Sequence, residues 1–241
     1  MSRIVTIDID GQYVEFDWGQ PHELGSAAFW IDQTRQRPVP TDLRLGRTLR
    51  EEVAACILGG YGLPASIGLA AFHAVVKEGL LDEGTVATAS DLERVLSQPL
   101  EAGGRNGAVR YRFPRQRSAR LAAALSYLAN YAAPVGDMDI RRWLLDCPGV
   151  GPKTAAWVIR NLGLTDEVAI VDVHVHRAGV AAGFFLSSWR LPQHYRWFED
   201  AFCAVASLGA VSPGALDACI WDVLQSLGSA RSMLLGDPAM A

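Results

Sequence analysis

The sequence predicts a mainly α-helical protein with a small β element at its N-terminus. Three observations carry this reading. Apolar residues recur at helical spacing in segment after segment from Arg47 onward. Residues 3–18 alternate in hydrophobicity around a tight-turn dipeptide. No alternating strand–helix pattern runs along the chain, which argues against a barrel of parallel strands.

The elements follow in order. Ile4, Val5, Ile7 and Ile9 lead into Asp10-Gly11, and Tyr13, Val14, Phe16 and Trp18 follow, the pattern of a β-hairpin. Gly19 to about Leu45, with Pro21, Pro38 and Pro40, reads as loop. Arg47–Leu58 and Ala65–Val76 read as helices separated by the break Gly59–Pro64. Ser90-Asp91-Leu92-Glu93 reads as a capping box opening a short helix. Ser118–Tyr131, Asp139–Asp146 and Pro152–Leu162 are further helices, the last closed by Gly163. Two more fall near His194–Leu208 and Pro213–Leu227, the latter with Ser212 as N-cap and Pro213 at the first helical position.

Composition narrows the function classes. The chain has 241 residues, 50% of them apolar, enough for one compact unit or two small lobes. No apolar run reaches the roughly 20 residues of a membrane span. The N-terminus lacks a signal pattern. The expectation is an intracellular protein, cytoplasmic and nucleoid-associated or nuclear, not secreted, with no membrane partner. Cys56, Cys147, Cys203 and Cys219 are scattered and form no CxxC pair, so they read as buried free thiols rather than cluster ligands. The net charge of −4 by itself argues against nucleic acid. Its distribution argues otherwise: Arg110, Arg112, Arg115, Arg117 and Arg120 form a basic strip interleaved with aromatics, which either binds phosphates or is a solvated face.

Of 22 basic side chains, two are lysines, Lys77 and Lys153. A chain that uses arginine for plain positive charge keeps a lysine where chemistry needs an amine that can lose its proton. Lys153 follows Cys147-Pro148-Gly149-Val150-Gly151-Pro152, a sequence that stops one helix, turns on two glycines and starts another. Such a hairpin presents backbone N–H groups beside a helix N-terminus, a phosphate site that reads no sequence. The plainer alternative is a tight link between packed helices. Downstream, the apolar run Val168–Val171 delivers one carboxylate, Asp172, to a helix start, where it is an N-cap, a cleft-facing catalytic group, or both.

Pro-Gly-Val-Gly-Pro-Lys and Val-Asp-Val-His, separated by one helix and a short loop, resemble the helix-hairpin-helix DNA glycosylases. The likeness is specific over Arg142–Gly179. It implies a two-lobed helical fold, with residues 1–46 packing with 166–241 as one lobe and 47–165 forming the other, including the hairpin motif at 139–163. It implies that Lys153 forms a Schiff base with C1′ of a damaged nucleotide and that Asp172 stabilises the sugar cation. Because monofunctional members lack that lysine, it implies AP-lyase activity. Gly149, Val150, Gly151 and His174 would contact DNA. The resemblance further implies double-stranded DNA with a damaged base as partner, a monomer, and no cofactor or metal. The lysine, the Val-Asp-Val-His string and the absent cluster cysteines look most like the 8-oxoguanine glycosylases; Trp157, where some relatives carry a smaller residue, is a departure.

Flipping a base requires a wedge and a pocket. Tyr61 and Leu63 in the Gly59–Pro64 break are candidate wedges, or plain turn residues. Trp157, one turn after Lys153, either stacks on the expelled base or belongs to the core. Trp221, Asp222 and Gln225 are candidate base-pocket residues. Asp172, His174 and His176 also have the spacing of a metal cluster, but a metallohydrolase needs more ligands than His22, His73 and His194 readily supply. Two alternatives stay open: a non-catalytic hairpin module that binds DNA, and a glycosylase for another modified base.

Overall fold

A computed structural model of the protein describes residues 3–37, 43–60, 62–101 and 108–227. Strands β1 (Ile4–Ile9) and β2 (Gln12–Asp17) pair antiparallel, Ile4 opposite Asp17 and Ile9 opposite Gln12. Asp10 and Gly11 both have positive φ, which a two-residue hairpin turn requires. The alternation buries Val5, Ile7, Ile9, Val14 and Phe16 on one face.

Helix α1 (Ala27–Gln36) lies inside the segment read as loop, and corrects that reading. The Ser26 hydroxyl accepts the Phe29 N–H, and the helix buries Phe29, Trp30 and Ile31. Pro21 precedes the helix and does not interrupt it; Pro38 and Pro40 fall outside the described residues. The chain continues through α2 (Leu49–Leu58), α3 (Ala65–Lys77) and α4 (Ala89–Leu96). The capping box of α4 is Thr88 with Asp91, two residues before the expected serine. Asp91 accepts the Thr88 N–H while Thr88 accepts the Asp91 N–H, which leaves Ser90 inside the helix. Helix α5 (Pro114–Asn130) starts four residues before Ser118, because Pro114 is suited to a first turn. Then come α6 (Asp137–Leu145), α7 (Pro152–Asn161), α8 (Val173–Ala181), α9 (Tyr195–Leu208) and α10 (Pro213–Ser226). Among the described residues no single helix is long and apolar enough to cross a membrane.

The chain divides into two compact units. One comprises residues 1–41 and 165–241. Its core joins the buried hairpin face to Trp30, Phe184, Phe198 and Phe202. Gly179 of α8 lets this core close: a Cβ there would lie 2.2 Å from a Phe185 ring carbon and 2.8 Å from Phe184. Gly179→Ala is therefore expected to destabilise the protein by about 2 kcal/mol or more in denaturant unfolding, an overpacking cost.

The other unit comprises residues 42–164, α2 to α7. Its order rests on a buried carboxylate. Glu52 accepts the N–H groups of Leu45 (3.0 Å) and Gly46 (2.9 Å) and the Asn161 amide (2.7 Å), tying the start of α2 to the end of α7. Cys56, one turn on, is fully buried, and burial pushes its thiol well above the usual range. The C-terminus of α2 is held from α5 and the chain before it. Arg117 donates to the Ile57 carbonyl (2.6 Å) and Tyr111 to the Leu58 carbonyl (2.6 Å). Burial raises the Tyr111 phenol to about 12, so it stays a donor.

Candidate functional site

The hairpin between α6 and α7 is built from local sequence. After α6 ends, the Cys147 N–H bonds the Leu144 carbonyl, and the Val150 N–H bonds the Cys147 carbonyl (3.0 Å). Gly149 turns the chain at φ 84, and a Cβ there would meet the Arg120 stem at 3.1 Å. Glycine at 149 thus answers to backbone and packing together. Gly151, read with Gly149 as a turn glycine, has no such need of glycine. Its φ of −102 suits any residue, and an added Cβ would enter open space. Among the described residues nothing crowds position 151.

Gly151 is the N-cap of α7 and Pro152 opens it, so the first-turn N–H groups point out of the helix end. Val150 turns out differently from a phosphate contact. Its N–H is spent in the turn and its side chain is buried. Arg120, on α5, is exposed and its stem lies against Gly149, which adds a cation to the hairpin. Of the basic strip, Arg117 is half-buried and holds the α2 terminus, and Arg112 lies over the Phe113 ring (5.0 Å). Arg120 is the strip arginine whose stem lies against the hairpin glycine.

Lys153 and Trp157 share one face of α7, with Nζ 5.8 Å from the indole centroid. Trp157 is half-buried against the break after α2. In that break the Leu63 N–H bonds the Gly60 carbonyl (3.2 Å), and Leu63 is partly exposed. Tyr61 lies outside the described residues.

Asp172 belongs to the other unit. Its carboxylate caps α8, accepting the N–H groups of His174 (2.8 Å) and Val175 (2.9 Å) through one oxygen, Oδ1. The segment before it is stitched in place: Asp217 accepts the Ile170 N–H (2.9 Å), and the Tyr195 hydroxyl bridges the Val171 N–H and the Ala169 carbonyl, both at 3.2 Å. Asp217 and Tyr195 escaped the sequence reading. The one signal is a carboxylate in the buried stripe of an apolar helix, a position charges rarely take unpaired.

His174 is half-buried beside Asp172 on the first turn of α8. His176 packs edge-on against Phe198 (5.0 Å between centroids), and burial together with Arg177 lowers its basicity. Among the described residues no three His, Cys, Asp or Glu side chains gather as a metal site needs. Trp221, Asp222 and Gln225 share the exposed face of α10, which packs on α8. Asp222 pairs with Arg37 at 2.5 Å, a surface ion pair, so its carboxylate is already engaged.

Residues 46–208, which hold the hairpin, Lys153 and Asp172, match the family model described as 8-oxoguanine DNA glycosylase. The chain belongs to the 8-oxoguanine DNA glycosylase family. A protein of this family from Metallosphaera sedula, named 8-oxoguanine DNA glycosylase/AP lyase, is 28% identical over 118 residues. That stretch is 46% of this chain and spans 57% of the relative's length. Two solved structures have a similar fold. The 8-oxoguanine DNA glycosylase of Thermotoga maritima superposes with a TM-score of 0.57 at 21% identity, covering 83% of this chain and 88% of that one. The Methanocaldococcus jannaschii 8-oxoguanine glycosylase/lyase, in complex with DNA containing 8-oxoguanine, gives 0.56 at 18% identity, covering 83% and 89%. The mainly helical fold agrees with these likenesses.

Proposed function

We propose that this family member flips an oxidised base, 8-oxoguanine, out of duplex DNA, excises it, and nicks the strand through a Schiff base on Lys153. The observation that carries the reading is Lys153 itself, placed in the first turn of the helix that the hairpin opens, in a chain with two lysines. The name of the Metallosphaera relative and the lesion in the Methanocaldococcus complex support the same chemistry.

In this reading the neutral Lys153 amine attacks C1′ as the glycosidic bond breaks. The bond's electrons leave with the base, which takes up a proton. The amine loses a proton, and the C1′–O4′ bond then breaks, its electrons and a proton going to O4′, which leaves an iminium at C1′. Loss of a C2′ proton then expels the 3′ phosphate and nicks the strand. Positive charge grows on the sugar during base loss, and the Asp172 carboxylate stabilises it. Asp172 is well suited because two backbone N–H groups fix its Oδ1 while leaving its other oxygen to act.

The DNA backbone is held by the N–H groups of the hairpin and the start of α7, reinforced by Arg120. Arg120→Ala is expected to weaken binding of all duplexes alike and to reduce the slope of log affinity against log salt by about 1. An unchanged slope would remove Arg120 from the interface. The reading as a whole is tested with a panel of single-lesion duplexes. Preferred release of 8-oxoguanine with a borohydride-stable adduct supports it. Duplex binding without base release from any lesion would favour a non-catalytic hairpin module instead.

A further inference from the structure

We infer that Trp157 is a positioning residue for Lys153, its indole face directing the amine and a glycine notch at Gly59 fixing the indole. The inference rests on the reading of Lys153 as nucleophile and goes beyond it.

Two independent pieces of geometry support it. First, Lys153 and Trp157 are one turn apart on α7, with Nζ 5.8 Å from the ring centroid. That lies within the range where an aromatic face attracts an ammonium group. A lysine carries four rotatable bonds, and a flat surface beneath it restricts where the amine can go. Second, the indole is itself held. At Gly59 an added Cβ would come 3.2 Å from Trp157 Cη2 and 3.3 Å from the Ala55 carbonyl oxygen. At Gly60 it would come 3.8 Å from Cζ3. The backbone of Gly59 is extended, φ −89 and ψ −160, a conformation open to any residue. A side chain there would be tight against the indole and the end of α2, so one of them would have to give by a few tenths of an ångström. The ends of α2 are in turn fixed, by Glu52 at one and by Arg117 and Tyr111 at the other. The notch therefore lies at the end of a helix bonded at both ends, and the indole rests against it.

An aromatic platform suits a nucleophilic amine. As an ammonium group Lys153 is drawn to the ring face; once its proton is lost that attraction lapses, and the flat indole limits where the neutral amine can go by contact alone. Near-attack geometry is demanding: a displacement of about 1 Å can cost about 10²-fold in rate.

The test is single-turnover borohydride trapping on a duplex with one 8-oxoguanine, measured across pH for wild type, Trp157→Leu, Trp157→Phe and Gly59→Ala. Trp157→Leu is expected to lower the plateau trapping rate by about tenfold. Its pH midpoint should fall by about half a unit, because the ammonium loses its aromatic partner. Trp157→Phe keeps a ring face and should restore most of the rate. Gly59→Ala should slow trapping when Trp157 is intact and have no further effect when combined with Trp157→Leu, a coupling that isolates the indole contact. An unchanged plateau and midpoint in Trp157→Leu would overturn the inference. So would equal losses of Tm and duplex affinity with the midpoint unmoved, which would assign Trp157 to packing alone. If Trp157→Leu does not fold, an unaltered trapping rate in Gly59→Ala overturns it. Failure of wild type to trap, while still releasing base, would sink the Lys153 reading and the inference with it; normal wild-type trapping with unaffected variants would sink the inference only.

Discussion

Lys153→Gln is expected to bind duplex DNA and form no borohydride-stable adduct. The amide keeps nearly the length of the lysine stem but has neither a basic nitrogen nor a nucleophilic lone pair, so no imine can form. Base release should fall by at least about 10³-fold, in line with removal of nucleophiles elsewhere. On the proposed reading binding persists, because the donors assigned to the DNA backbone are hairpin N–H groups and Arg120, which the change leaves in place. The fold also persists. Lys153 is on the first turn of α7, and what anchors that helix is buried elsewhere, in Ala155, Ala156, Val158, Ile159 and the Asn161–Glu52 bond. The measurements are gel-shift affinity beside trapping yield. A trapped adduct at wild-type yield in Lys153→Gln would place the nucleophile elsewhere.

The second large effect is expected at Asp172. Asp172→Asn should slow excision by about 10²-fold or more, because a neutral amide does not stabilise a growing sugar cation. Stability should change by no more than about 1 kcal/mol, since Asn caps helices as well as Asp and only the charge–dipole interaction is lost. The bonds to the N–H groups of His174 and Val175 pass to the amide oxygen. Denaturant midpoints and single-turnover excision rates together separate the two roles. Losing both in proportion would reduce Asp172 to a cap; losing rate alone assigns it chemistry.

Sequence legibility follows from the range of the interactions. The hairpin is written in consecutive residues: a helix stop at Pro148, a positive φ at Gly149 and a helix start at Pro152. The caps at Ser212 and Asp172 are equally local, each a side chain bonding an N–H two or three residues on. Helix α1 was hidden because its N-cap, Ser26, sits among turn-prone residues and prolines lie on both sides. In α4, Ser90 and Thr88 offer competing capping registers two residues apart, and the Thr88–Asp91 box is the one that forms. The supporting shell could not be read at all. Glu52 meets Asn161 across 109 positions and Asp217 meets Ile170 across 47, and nothing near either carboxylate in sequence announces its partner. The glycines were legible as glycines but not by reason. Gly149 answers to a turn and Gly59 to an indole, whereas Gly151 faces open space.

The most direct test of the central claim is a peptide map of the borohydride-trapped complex, which locates the nitrogen bonded to the sugar. The sequence holds two lysines, so the map distinguishes Lys153 from Lys77 directly. The reduced sugar adduct is expected on the peptide containing Lys153. An adduct on Lys77 or on the N-terminal amine would contradict the assignment of Lys153 as nucleophile.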